Sequence, residues 1–350
     1  MNHPPVNTAL LSYGMSGEVF HAPLLEAHPG FKLTHILERS SNRAVKRYPT
    51  VKTVRSLDEI LQDKTIELVI VNTPHDTHHE LATRVLEAGK HAVVEKPFVV
   101  SVKEGEALIR LARERGVMLS AFQNRRWDGD FMTVQKVLQS GILGPLAEFE
   151  AHYDRYRPEV DRTTWKEGAR PGSGIVYNLG THMIDQALTL FGKPESLSAH
   201  IYIQRQGGVS PDYYDIRLYY PGFTAILKSS YLIRDPGPRY VAFGVHGTFT
   251  KYGLDPQEEA LKNGGIPGSP GWGTEAKEWW GRIDTQIGDL HVQGAIETLP
   301  GNYLGFYDSI YAALREGKSP EVTAEQALMV IRIVELAMES SEKGRRVTVP

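Results

Sequence analysis

The feature that most constrains this chain is the rhythm of its first third, where short continuous apolar runs alternate with amphipathic stretches. Val6–Ser12, Phe31–Leu37, Val51–Val54, Glu67–Thr73, His91–Glu95 and Met118–Phe122 read as strands. The run ELVIVNT at Glu67–Thr73 is β-branched and lacks polar alternation, as a strand covered on both faces should be. Helices are expected over Glu18–Ala27 and His79–Ala88, and from Ser101 to near Gly116, where Ser101-Val102-Lys103-Glu104 has capping-box spacing. Strands alternating with helices predict βαβ units and a doubly wound parallel sheet.

After a helix near Phe131–Gln139 the pattern changes to longer strands with hairpin-like spacing: Ala147–Tyr156, Ser196–Arg205, Tyr213–Tyr220, Phe223–Ile233 and Tyr240–Val245. Pro221-Gly222 and Asp235-Pro236-Gly237-Pro238 supply turns. The expectation is an α/β chain with a doubly wound parallel sheet over residues 1–123 and a second domain, residues 124–350, on an antiparallel or mixed sheet. A final helix, capped by Thr323-Ala324-Glu325-Gln326 and ended at Gly344, could pack back on the first domain.

Composition narrows function by exclusion. The 350 residues carry a net charge of −3, so no basic excess exists to neutralise a phosphate backbone or an anionic membrane. Cysteine is absent, which removes disulfides, thiolate nucleophiles and zinc–cysteine sites. With no signal peptide or apolar span in view, the expected location is the cytoplasm. Histidine is plentiful at 13, but His75, His78 and His79 stand at a strand–helix turn without a carboxylate set, so no metal site is expected.

Ser12-Tyr13-Gly14-Met15-Ser16-Gly17 directly follows the first strand. A dinucleotide fingerprint wants G-x-G-x-x-G there. Gly14 fits the close approach to a pyrophosphate, Gly17 fits close helix–strand packing, and Ser12 replaces the first glycine. Met15 and Ser16 open the helix, whose free N–H groups favour an anion. Glu38 stands twenty-one positions after Gly17, where an acid accepts from the ribose 2′-hydroxyl of NAD. Arg39 and Ser40 follow, and a cation plus a hydroxyl suits the 2′-phosphate of NADP. NADP is the expected cofactor, with NAD also possible.

Asn72-Thr73-Pro74 and Glu95-Lys96-Pro97 end successive strands, and ligands of an open α/β sheet bind beyond such ends. These residues and His78 are assigned to the cofactor. Lys96 would lie beside a nicotinamide, where an apolar setting lowers a lysine pKa and suits proton transfer. In the second domain Asn178, His182 and Asp185 have one-face helical spacing. Asp185 is as well suited to a structural role as to orienting His182. Asn124, Arg126 and Trp127 at the domain boundary, with Arg157 and Trp165, are the candidates for holding a hydroxylated substrate. Arg126 and Asp128 could equally form an ion pair.

The segment VNTPHDTHHELATRVLEAGKHAVVEKPF resembles the diagnostic stretch of the glucose–fructose oxidoreductase / inositol dehydrogenase family. YGMSGEVFHAPLL, QNRRWDGDF, YRPEV, GPRY, KYGLDPQE and VTAEQALMVIRIVELAMESSEKGR extend the resemblance over nearly the whole chain, toward its NADP-dependent scyllo-inositol dehydrogenase branch. The resemblance implies a dinucleotide-binding Rossmann domain over residues 1–123, an α/β domain with a large, open, mainly antiparallel sheet over residues 124–350, and a homodimer or homotetramer formed through that sheet. It puts the family's catalytic lysine at Lys96, a proline often preceded by a cis bond at Pro97, and the proton-exchanging histidine at His182. Asn178 stands where the family usually has aspartate, and asparagine cannot take a proton. The implied reaction moves a hydride between nicotinamide and a secondary alcohol or ketone of a sugar, inositol or related polyol. The rivals are reduction of a ketone or imine in a specialised pathway, hydride shuttling by a retained cofactor, and a non-catalytic NAD(P) sensor.

Overall fold

The computed structural model describes residues 3–350. The chain divides into two compact units. One comprises Met1–Asn124, Gln257–Trp272 and Asn302–Met329; the other comprises Arg125–Pro256, Gly273–Gly301 and Val330–Pro350. A single cut near Asn124 therefore describes only the first crossing.

The first unit is built on six parallel strands: β1 (Val6–Leu10), β2 (Phe31–Leu37), β3 (Lys52–Val54), β4 (Leu68–Val71), β5 (His91–Val94) and β6 (Leu119–Ala121). Their order is β3-β2-β1-β4-β5-β6, a doubly wound sheet whose direction of winding reverses between β1 and β4. All four residues of β4 are buried, which is why its sequence shows no alternation. The intervening helices are α1 (Ala22–Ala27), α2 (Ala44–Arg47), α3 (Leu57–Gln62), α4 (His78–Glu87) and α5 (Val102–Arg115). A π turn, Gly17–His21, leads without interruption into α1. Ser56 and Glu59 form the complete capping box at α3, whereas at α5 Ser101 caps Glu104 N and the Glu104 carboxylate reaches Val100 N instead. Late-sequence helices complete this unit. Ser120 Oγ donates to Val322 O, and Tyr307, on the helix Leu304–Glu316, is fully buried.

The second unit opens with α6 (Gly129–Gln139) and β7 (Leu146–His152). It then runs through a π turn (Val176–Gly180), α7 (Thr181–Phe191), β8 (Ser196–Tyr202), β9 (Tyr213–Tyr220) and β10 (Phe223–Ser230). It closes its sheet with β11 (Tyr240–Gly244), β12 (Gly247–Lys251), β13 (Gly281–Ile287), β14 (Leu290–Ile296) and β15 (Val347–Thr348). Nine strands form one sheet in the order β14-β13-β12-β11-β7-β10-β9-β8-β15. Pairing is antiparallel except between β7 and β10. β9 alternates between buried and less buried positions, the signature of a sheet with one packed face. The expected strand ends at Tyr156, Arg205, Ile233 and Val245 overrun the ladder by one to four residues. Among the described residues no helix is long and apolar enough to cross a membrane.

Candidate functional site

The glycine turn is shaped by contact rather than by three glycines. Ser12 Oγ accepts from Gly14 N at 3.0 Å, closing the turn in place of the missing first glycine. A Cβ on Gly17 would lie 2.2 Å from Ser12 O and 2.8 Å from Asn72 Nδ2, so only glycine lets the helix come this close to the strand end. Asn72 Nδ2 donates to Ser12 O at 2.8 Å, tying the ends of β1 and β4 together. The buried Asn72 Oδ1 has no hydrogen-bond partner among the described residues. Gly14 and Met15 are exposed and Ser16 half-buried. A tight strand–helix turn with an exposed glycine, leading into free helix N–H groups, fits the phosphate end of a dinucleotide.

Glu38 stands just past the end of β2. The side chain is only 5% exposed and turned into its own loop. Oε1 accepts from Ser41 Oγ and from Arg43 N at 3.0 Å, and Oε2 accepts from Ala44 N at 3.0 Å. Burial pushes its pKa up, but these donors together hold it below the usual glutamate value. The carboxylate thus organises the loop into α2. Arg55 braces the same loop through Ser41 O and Asn42 Oδ1. Arg39 and Ser40 stand exposed on it. Arg43, not singled out by the sequence, pairs with Glu18, and its guanidinium lies 5.7 Å from the centre of the Tyr13 ring.

The ends of β4 and β5 carry two turns joined underneath by His78. This histidine has no exposed surface; Nδ1 lies 2.8 Å from Pro97 O and Nε2 2.9 Å from Thr73 O. Burial lowers its pKa against the pull of those carbonyls and of Glu95. It fixes the two turns from below. Thr73 and Thr77 exchange a hydroxyl hydrogen bond of 2.7 Å around Pro74. The Lys96–Pro97 peptide is cis. Glu95 folds back so that Oε2 accepts from Lys96 N at 3.0 Å, while Oε1 meets His21 Nε2 at 3.0 Å. Burial raises the Glu95 pKa, but His21, Lys96 and His78 outweigh it and the carboxyl stays below its ordinary value. Lys96 itself is half-buried, beyond the carboxyl end of β5.

In the second unit Asn178 lies in the π turn that leads into α7, and buried His182 lies in that helix's first turn. π turns inside helices recur at functional sites, and this chain has one in the glycine region and one here. Asn178 Nδ2 donates to Tyr231 Oη at 3.2 Å. Asp185 is committed to Arg126, which donates Nε at 2.8 Å and Nη2 at 2.7 Å, so orienting His182 is not its work. Asp128 pairs with Arg125 at 3.3 Å. Asn124 and Trp127 are buried. Arg157 is exposed and Trp165 half-buried. The segment carrying them is pinned by Arg205, a residue the sequence did not flag. Its guanidinium donates to Arg157 O at 3.1 Å, Glu159 O at 2.8 Å, Glu167 Oε2 at 2.9 Å and Asp212 Oδ2 at 2.8 Å. Among the described residues no cluster of three or more His, Asp or Glu is placed to hold a metal ion.

These features coincide with known families. Residues 6–123 match the oxidoreductase family's NAD-binding Rossmann fold, and residues 135–349 match that family's C-terminal alpha/beta domain. The chain belongs to the glucose–fructose oxidoreductase / inositol dehydrogenase / MocA family and is an NAD(P)-dependent oxidoreductase. It is 40% identical to scyllo-inositol 2-dehydrogenase (NADP(+)) IolW of Bacillus subtilis (strain 168), covering 98% of this chain and 95% of that one. It is 41% identical to the oxidoreductase YdgJ of Escherichia coli (strain K12), covering 96% of each. The solved structure of yvaA from Bacillus subtilis superposes with a TM-score of 0.96 at 40% identity and full coverage of both chains. A Bacteroides fragilis structure gives 0.91 at 44% identity, covering 99% of this chain and 100% of that one.

Proposed function

We propose that the chain is a cytoplasmic, NADP(H)-preferring dehydrogenase of a cyclic polyol or sugar, with Lys96 and His182 as its proton-handling pair. The observation that carries the reading is the presentation of Lys96. It sits past the end of a buried parallel strand, on a turn fixed by Glu95 on one side and His78 below. Bound nicotinamide supplies the hydride acceptor or donor. Gly14, Ser16 and Gly17 hold the pyrophosphate end, and Arg39 and Ser40 take the 2′-phosphate. The inward turn of Glu38 supports NADP, since it removes the acid that would repel that phosphate. Thr73, Pro74 and Pro97 shape the floor of the nicotinamide end.

Lys96 and His182 move the proton of the substrate oxygen as hydride leaves or arrives at its carbon. Asn178 orients without titrating. Asn124, Arg126, Trp127, Arg157 and Trp165 contact the remaining hydroxyls, with Arg126 acting from its pair with Asp185. The substrate class draws support from relatives named for cyclic vicinal diols and polyols: IolW, and the 26% identical trans-1,2-dihydrobenzene-1,2-diol dehydrogenase of Bos taurus. Exposed Ile287 and Leu290, 50% and 68% accessible at the β13–β14 edge of the sheet, support assembly into a homodimer or homotetramer.

Titrating tryptophan fluorescence with NADP(H) and NAD(H) tests the cofactor half of the reading. Saturation with NADP(H) at lower concentration is expected. Silence toward both dinucleotides overturns the reading.

A further inference from the structure

Beneath the Lys96 turn lies a buried row of polar groups that the reaction itself does not use. His21, at the end of the π turn, has no exposed surface. Its Nδ1 lies 2.7 Å from Tyr307 Oη and its Nε2 3.0 Å from Glu95 Oε1. The other Glu95 oxygen accepts from Lys96 N. The imidazole is flanked by Phe122, with ring centres 4.2 Å apart, so it has little room to turn. Nε2 faces a carboxylate and donates to it, and in the neutral imidazole Nδ1 is then the acceptor for the Tyr307 hydroxyl. Every donor then points one way: Tyr307 to His21, and His21 to Glu95. Such a buried row is stable only when each member is satisfied. The titratable and charged groups around Glu95 are His21 from the π turn, Tyr307 from the helix Leu304–Glu316, His78 from α4 and Lys96 from its own turn.

We propose that His21, backed by Tyr307, is a positioning residue that holds Glu95 as a fixed anion behind the Lys96 turn and thereby sets the protonation of Lys96. Burial alone would neutralise Glu95. The His21 donor keeps it charged and keeps one oxygen free for Lys96 N. An anion held there favours the ammonium form of Lys96. The inference rests on Lys96 being the proton-handling lysine, but its test does not need turnover.

The experiment follows the ionisation of Lys96 directly. The full-length protein is reductively methylated with 13C-formaldehyde, and the dimethyl-lysine signals are titrated by NMR, with Lys96 assigned by loss of its signal in Lys96→Arg. Glu95→Gln is expected to lower the Lys96 pKa by about one unit, the effect of losing a nearby opposite charge. His21→Leu should move it the same way, because a buried carboxyl without its donor takes up a proton. His21→Gln, whose amide nitrogen can replace Nε2, should restore most of the wild-type value. Tyr307→Phe should give a smaller shift in the same direction, and it carries the test together with Glu95→Gln if His21→Leu does not fold. A Lys96 titration unchanged in Glu95→Gln, or in folded His21→Leu, overturns the proposal. So does His21→Gln behaving like His21→Leu. Lack of polyol turnover by the wild type would strike the proposed reaction and leave this titration result standing.

Discussion

Replacing Glu38 by alanine separates two roles for the residue at the end of β2. The carboxylate accepts three hydrogen bonds, from Ser41 Oγ, Arg43 N and Ala44 N. A hydrogen bond to a charged group is worth roughly 1.5–3 kcal/mol when its loss leaves the donor buried, and much less when water replaces the acceptor. Ala44 is buried, whereas Arg43 is exposed and Ser41 half-buried, so one of the three losses is felt in full. The net cost is about 2–4 kcal/mol, confined to the first unit. The first thermal transition should fall by roughly 5–10 °C. Because Arg39 and Ser40 ride on this loop, affinity for NADP(H) and NAD(H) should fall together, by about tenfold or more. Glu38→Gln, with one accepting oxygen left, should lie between. The Glu38 pKa is held below its ordinary value near 4.3, so its stabilisation is complete above about pH 5 and drains away as pH falls below about 4. The alanine variant should therefore lose less stability than wild type between pH 5 and 3. Circular dichroism melts and fluorescence titrations read both effects. A Glu38→Ala protein with wild-type melting and NADP affinity, but without NAD affinity, would refute the reasoning and return Glu38 to the ribose.

Arg39→Ala should weaken NADP(H) about tenfold, near 1.4 kcal/mol, and leave NAD(H) unchanged in parallel titrations. Gly17→Ala must push the helix away from Ser12 O and Asn72, and should abolish dinucleotide binding and lower the melting temperature. Asn178→Asp keeps a hydrogen bond to Tyr231 with its direction reversed and adds a charge, which should shift the pH–rate profile upward by raising the pKa of cationic neighbours. Light scattering at micromolar concentration should return a multiple of the 39.1 kDa chain mass, and Leu290→Lys should reduce it.

The six parallel strands were legible because burial on both faces writes itself as unbroken apolar runs, as in Leu68–Val71. The late strands β13 and β14 were not, because β14 is largely exposed and the buried positions of β13 are Gly281, Ile283 and Thr285, too few of them apolar to show a period. Gly14, Gly17 and Lys96 were readable from position relative to strand ends. The direction of the Glu38 carboxylate was not, since fingerprint spacing sets where the residue stands and not which donors capture it. Arg205, Tyr231 and His21 were invisible for a similar reason. Each acts through partners distant in the chain, such as His21 with Tyr307, and no local pattern announces such pairs. The two π turns likewise leave no periodic trace.

Proton handling by Lys96 in NADP-linked polyol chemistry is measured directly by cofactor absorbance at 340 nm. Wild type and Lys96→Met should be compared with NADP+ and NAD+ against a panel of inositols, aldoses and cyclic diols, after fluorescence titration has fixed each dinucleotide affinity. Wild type should reduce NADP+ with at least one cyclic polyol. Lys96→Met should bind NADP+ within about tenfold of wild type and turn over roughly two to four orders of magnitude more slowly. Near-normal turnover by Lys96→Met on the same substrate would contradict the account.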